Sequence, residues 1–324
     1  MNELVNLLLN KVIYLSTRIV PVIVISIILA NIIAEFKLVN KLERVFKPIF
    51  NFSNLSPDIS VPTTLYLVSY SAGSSALSNL IERKAVSEKE ALVAYFVGGL
   101  FTFVNHAIIY YIPILIPLLG VAGLLYIFVR FVINFLIAIL AAIYGHFYLK
   151  QNLQGSSDIL NDRKKMDKLD KSKIKNTIKK AINKSKKIIL KIIVRMYLVY
   201  VPVSLATYFG LFNVIACSVK SVINIVNLPG EISVIIAVGL VDPISSYVVA
   251  ASLLNDCVLS EIETVLALLF SSLFTMTASV FRHSLPSKIT YFGVKLGTKI
   301  AFYSFILNLV FILLSILVLL MFVI

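Results

Sequence analysis

From Val121 to Phe147 the sequence is apolar with a single permanent charge, Arg130, set inside the run. About 20 apolar residues in a helix cross the hydrocarbon core of a bilayer. Four further stretches have the same character: Ile13–Ala34, Ala91–Ile112, Val265–Phe281 and Ile300–Ile324. Charged residues make up 14% of the chain, where a soluble domain carries about 25%. Unbroken apolar runs, with no alternation of polar and apolar positions, exclude a β-barrel. The fold class expected is therefore all-α, a polytopic helical membrane protein whose principal partner is the lipid bilayer.

The net charge of +14 is concentrated: Arg163 to Arg195 holds 14 of the 30 Lys and Arg residues against two Asp. Nucleic acid is not the expected partner. Short loops rich in Lys and Arg mark the cytoplasmic side of a membrane protein, and such a loop lies close to anionic lipid headgroups. The reading is a cell-membrane, multi-pass protein with three parts: a first membrane repeat at 1–150, a basic cytoplasmic linker at 151–190 and a second repeat at 191–324. The two cysteines, Cys217 and Cys257, have no CxxC spacing and read as small buried apolar residues.

The halves are related. Ser87–Thr102 and Ser260–Thr275 align without a gap at seven of sixteen positions, and Gly98-Gly99 falls on Ser271-Ser272. Ser87 with Glu90, and Ser260 with Glu263, have the capping-box spacing that opens a helix. Phe36–Asn51 alternates apolar and basic faces at helical spacing and reads as an interfacial helix. Each repeat is expected to hold four to five membrane segments, eight to ten in all. Within each, one segment is interrupted: Val61–Lys84 by Ser69, Ser71, Gly73, Ser74 and Ser75, and Val234–Asp256 by Asp242, Pro243, Ser245 and Ser246. Such pairs point to broken or re-entrant helices and a binding site near the midplane. Segments that enter and return as hairpins make the repeats inverted, the favoured arrangement, and segments that cross fully make them parallel.

The stretches LVSYSAGSSALSNLIERKAVSEKEALVAYFVGG and HAIIYYIPILIPLLGVAGLLYIFVR, within Pro62–Arg130, resemble the nucleoside recognition, or Gate, domain family. That family includes repeats of concentrative nucleoside transporters, ferrous-iron permeases and spore-maturation membrane proteins. The resemblance is weaker over Pro229–Leu296, and the gate-like portions are 61–130 and 229–296. It implies a transport-type core of two gate units. The chain departs from the iron permeases in having no GxxxxGK[ST] phosphate-binding loop.

Asp242 is the sharpest candidate. A carboxylate at the centre of a membrane helix costs about 2.5–3.5 kcal/mol on insertion scales, so it faces a cavity or a partner. It suits a coupling site for H⁺ or Na⁺, or a ligand acceptor; equally, Asp before Pro is a helix N-cap. Ser71, Gly73, Ser74, Ser75, Asn79, Ser245 and Ser246 offer hydroxyls and close backbone approach to a solute, or merely small surfaces for helix packing. Asn105 and His106 sit late in a helix, where His106 is a candidate protonation gate or simply solvated. His283 falls in a polar loop, and His146 lies at a helix end. Arg130 is expected to snorkel or to pair with a carboxylate, with Asp242, Glu35 and Glu82 as possible partners. No catalytic triad, HExxH motif or metal-ligand cluster is present, so no enzyme activity, metal or cofactor is expected. The function expected is a permease core for a small polar solute, nucleoside-like or an organic ion, with alternating access at a central site. The alternative is a membrane scaffold or accessory subunit that binds a partner protein, and a homo-oligomer fits either.

Overall fold

The computed structural model describes residues 52–149 and 229–322, with isolated positions between 9 and 49 and between 182 and 205. Most of the expected first span and nearly all of the interfacial helix and of the basic linker lie outside the described residues.

Two helical series follow one another in the same order. The first is α1 (Ser60–Tyr66), α2 (Tyr70–Glu82), α3 (Glu88–His106) and α4 (Ile112–Tyr148), with a π-helical turn at Ala107–Tyr111 joining α3 to α4. The second is α5 (Ile232–Val241), α6 (Pro243–Asn255), α7 (Glu261–Ser279) and α8 (Leu285–Leu320), with a π-helical turn at Val280–Ser284. Helices α2 and α6 both have 13 residues, α3 and α7 both have 19, and α4 and α8 have 37 and 36. No strand occurs among the described residues.

Local chemistry sets these boundaries. The Ser87 hydroxyl accepts from the Glu90 amide at 3.2 Å. At Ser260 the box is complete, with the Glu263 carboxylate also accepting from the Ser260 amide at 2.7 Å. Glu90 instead accepts from the Ser56 amide at 2.8 Å, tying the chain before α1 to the start of α3. Between α5 and α6 the backbone is extended at Asp242 (φ −151°, ψ 119°), and Pro243 opens the next helix. Between α1 and α2 the break falls at Leu67–Ser69, just ahead of the small residues that suggested it. A rise of 1.5 Å per residue leaves α1, α2, α5 and α6 each too short to cross a bilayer alone.

The long helices double back. Gly120 (φ 55°, ψ −122°) and Gly293 (φ 75°, ψ 168°) are non-helical points inside α4 and α8, in backbone regions that favour glycine. In a straight helix residues 115 and 123 would be about 12 Å apart. Here a Cβ on Gly123 would strike the Leu115 carbonyl, and one on Gly297 would strike that of Lys288. Glu88–Leu119 and Val121–Tyr148 are thus the arms of one helical hairpin, and Glu261–Phe292 and Val294–Leu320 those of another. His283, read from sequence as lying in a polar loop, falls in the π-helical turn at Val280–Ser284, and the chain after it is helical on both sides of Gly293. Of the polar residues in this stretch Lys288 is buried, while His283, Thr290, Lys295, Thr298 and Lys299 are exposed.

The arms pack on each other, and the halves interlock. Helix α4 packs on α6, α7 and α8, while α8 also reaches α2 and α3. Ile114, Leu115, Tyr126 and Ile137 share one core with Ile235, Val248, Leu266, Leu269 and Ile312. The outer faces are apolar but uncovered: Phe128 is 61% exposed, Val294 72% and Leu317 60%. Glu88–Tyr148 and Leu285–Leu320 are long and apolar enough to cross a membrane, and their bare apolar faces suit hydrocarbon rather than water. Cys257, expected to be buried, is exposed at positive φ (54°) in the turn between α6 and α7; Leu259 of the same turn is the residue that is buried.

Candidate solute cavity

A cavity of ≈ 370 Å³ lies between the two series, at the lower end of the range for small-molecule sites. Its walls come from both: Tyr95 and Gly99 on α3, Tyr126, Arg130 and Asn134 on α4, Ser246 and Tyr247 on α6, Ser272 and Thr275 on α7, Lys288, Ser304 and Asn308 on α8.

Most of its hydroxyl and amide donors are already engaged with helix carbonyls. Thr275 Oγ1 donates to the Gly239 carbonyl at 2.9 Å and the Ser271 carbonyl at 2.7 Å. Ser272 donates to Leu269 at 2.7 Å, Ser246 to Pro243 at 2.7 Å and Ser304 to Ile300 at 2.6 Å. The amides of Asn134 and Asn308 donate one turn back, to Arg130 at 2.8 Å and Ser304 at 2.9 Å. Such bonds satisfy a polar side chain inside an apolar helix, leaving oxygen lone pairs available.

The cations differ. Lys288 is 5% exposed; its Nζ donates to Ser284 Oγ at 2.9 Å and stands 5.5 Å from the centre of the Tyr95 ring. Arg130 Nε is buried without a hydrogen-bond partner. Its charge is felt by Tyr126, Tyr111 and Tyr247, which surround it, and Tyr126 and Tyr247 themselves pack ring on ring at 6.2 Å.

Of the residues singled out in the sequence, Arg130 and Ser246 line this cavity. Asp242 is 5% exposed and caps α6: its Oδ2 accepts from the Ser245 amide at 3.0 Å and the Ser245 hydroxyl at 2.9 Å. Ser74 is buried, with its hydroxyl 3.2 Å from that of Tyr66. Ser71, Ser75 and Asn79 are exposed, and Gly73 lies under the Tyr66 ring. His106 is exposed with Nδ1 3.1 Å from the Thr102 carbonyl, and Asn105 is half-buried beside it. No carboxylate pairs with Arg130 among the described residues; Glu82 is exposed and Glu35 lies outside them.

The two serine-bearing stretches therefore do not meet across the cavity. In the first series Tyr66 fills the space between α1, α2 and α3, over Gly73 and Gly98; in the second, Gly239 faces Ser246 and Ser271. A large residue against two glycines closes one side, and a glycine against two serines leaves hydroxyls toward the other. Sequence reading missed Tyr95, Tyr126, Tyr247, Thr275, Lys288 and Asn308. A signal existed for Lys288, a charge between apolar runs, but it was indistinguishable from a loop lysine.

The Gate family model, described as nucleoside recognition, matches residues 16–122. Three uncharacterized proteins of Methanocaldococcus jannaschii resemble the chain along most of their length. MJ0880 is 26% identical over 97% of this chain and 98% of its own. MJ0871 is 26% identical over 89% and 87%, and MJ1556 24% over 88% and 88%. No solved structure matches. The match begins well before the gate-like stretch read from sequence and ends at the hairpin turn beyond Gly120. Over residues 16–122 the chain is thus similar to the Gate family described as nucleoside recognition.

Proposed function

We propose that the chain is the core of a multi-pass permease for a small polar solute, and that the ≈ 370 Å³ cavity is its binding site. The two helical series act as gate units related by duplication, and access alternates as one hairpin rocks against the other. The observation that carries this reading is the lining: hydroxyls, amides and tyrosines from both halves line a space between otherwise apolar helices. Polar groups in such a place are unfavourable unless they face water or a solute. The nucleoside recognition description of the matched family makes nucleosides and their relatives the first solutes to try.

Gly99 gives the test. It lines the cavity, and a Cβ there would meet nothing within 4 Å. Gly99→Phe should fill the space without moving the backbone. In proteoliposomes given labelled uridine, adenosine or benzoate, the wild-type chain should take up at least one, and the variant should take it up at least about tenfold more slowly at unchanged melting temperature. A folded Gly99→Phe protein that transports at the wild-type rate would remove the cavity from the mechanism.

A further inference from the structure

We infer that the solute of this cavity is an organic anion, whose carboxylate or phosphate is held by Arg130 and Lys288. The inference rests on the permease reading and adds the charge of the cargo.

Charge bookkeeping leads here. Both basic side chains of the wall are inside an apolar bundle, and no Asp or Glu lines the cavity among the described residues. Neither cation has an ion-pair partner among the described residues. Asp242, nearest in sequence to the wall at Pro243, directs Oδ2 to the start of α6. Arginine stays protonated at any accessible pH, so Arg130 brings a fixed positive charge to a place where an unpaired charge is expensive. Nature retains such a group where something of opposite sign arrives.

The donors say the same. The Ser and Thr donors named above are bound to helix carbonyls, and each Asn amide gives one of its two N–H groups to a carbonyl. What remains for a ligand is the Arg130 Nε–H, the uncommitted protons of Lys288 and the second N–H of the Asn134 and Asn308 amides. The Tyr126 and Tyr247 hydroxyls bond each other, and Tyr111 bonds the guanidinium. A ligand that only accepts hydrogen bonds at one end satisfies that set, and guanidinium and ammonium bond carboxylate and phosphate oxygens most strongly. The rings of Tyr95, Tyr126 and Tyr247 give its carbon skeleton a surface to lie on.

The test compares matched pairs on the purified full chain. Thermal unfolding in detergent is followed with benzoate against benzyl alcohol, and uridine 5′-monophosphate against uridine, at ionic strength held constant with sodium chloride. At least one acid should raise the melting temperature saturably, with its neutral partner at least tenfold weaker. Arg130→Gln and Lys288→Gln should each weaken that acid at least tenfold, while the unliganded variants melt at or above wild type because an unpaired buried charge has gone. Arg130→Lys and Lys288→Arg, which keep the charge, should retain binding within severalfold and serve if a Gln variant does not fold. Uridine or benzyl alcohol protecting as well as the acid, unchanged in the Gln variants, would overturn the inference and leave the permease reading intact. Protection by phosphatidylglycerol but by neither acid would overturn it in favour of a lipid headgroup. No protection by any acid, lipid or neutral probe would overturn both.

Discussion

Tyr66 Oη lies 3.2 Å from Ser74 Oγ, and the Tyr66 ring presses on Gly73 and Gly98 at once. A methyl group at either glycine would collide with ring carbons. The ring is 1% exposed and held by Tyr70 and Tyr95, at 6.0 and 6.2 Å between centres, so it has nowhere to move. Gly73→Ala and Gly98→Ala should each destabilise by about 1–3 kcal/mol, as overpacking does, read as a lower melting temperature in detergent. Tyr66→Ala in the Gly98→Ala background should relieve the added loss, a coupling that a double-mutant cycle measures.

The hairpin turns make a contrasting prediction. Nothing lies within 4 Å of a Cβ at Gly120 or Gly293, so any penalty there comes from the backbone. Gly120→Ala and Gly293→Ala should each cost about 1–3 kcal/mol from the disfavoured dihedrals alone. D-alanine introduced at either site by semisynthesis should restore the wild-type melting temperature, since the mirror-image residue accepts positive φ.

Asp242 separates cap from charge. Asparagine caps a helix about as well as aspartate, whereas alanine does not. Asp242→Asn should therefore keep the melting temperature close to wild type, and Asp242→Ala should lose about 0.5–2 kcal/mol. Because the carboxylate bonds the start of α6, uptake by folded Asp242→Asn should persist in the assay that finds a substrate. Uptake abolished in a stable Asn variant would make Asp242 a coupling residue as well as a cap.

The two capped helices should also respond differently. Ser260→Ala breaks a reciprocal box and should cost about 1 kcal/mol. Glu90→Ala removes the acceptor that holds the Ser56 amide at 2.8 Å from inside the protein, leaving a part-buried donor unpaired at about 1–3 kcal/mol. Native-state hydrogen exchange should show faster exchange of the Ser56 amide in that variant.

What could be read from the sequence was what short-range chemistry controls. Ser87 and Ser260 with their glutamates announce helix starts, and Asp242-Pro243 announces a break. Arg130 and Ser246 were picked out because charge and hydroxyls are rare in apolar runs. What stayed hidden depends on which helix face looks inward. Ser71 and Ser75 are exposed while Ser246 lines the cavity, and their neighbourhoods in sequence look alike. The difference lies in Tyr66 and Gly239, residues from a preceding helix. Lys288 looked like part of a loop because its helix is interrupted by Gly293, whose dihedrals leave no mark on hydropathy.

The single-residue reversal at Gly120 has a consequence for the register of everything after it. A long loop would absorb an extra residue, but an arm that begins at Val121 has no slack. Inserting one alanine between Val121 and Val129 would turn Arg130 by about 100° around the helix axis and advance it about 1.5 Å. The guanidinium would swing off its wall, although no native residue had been replaced.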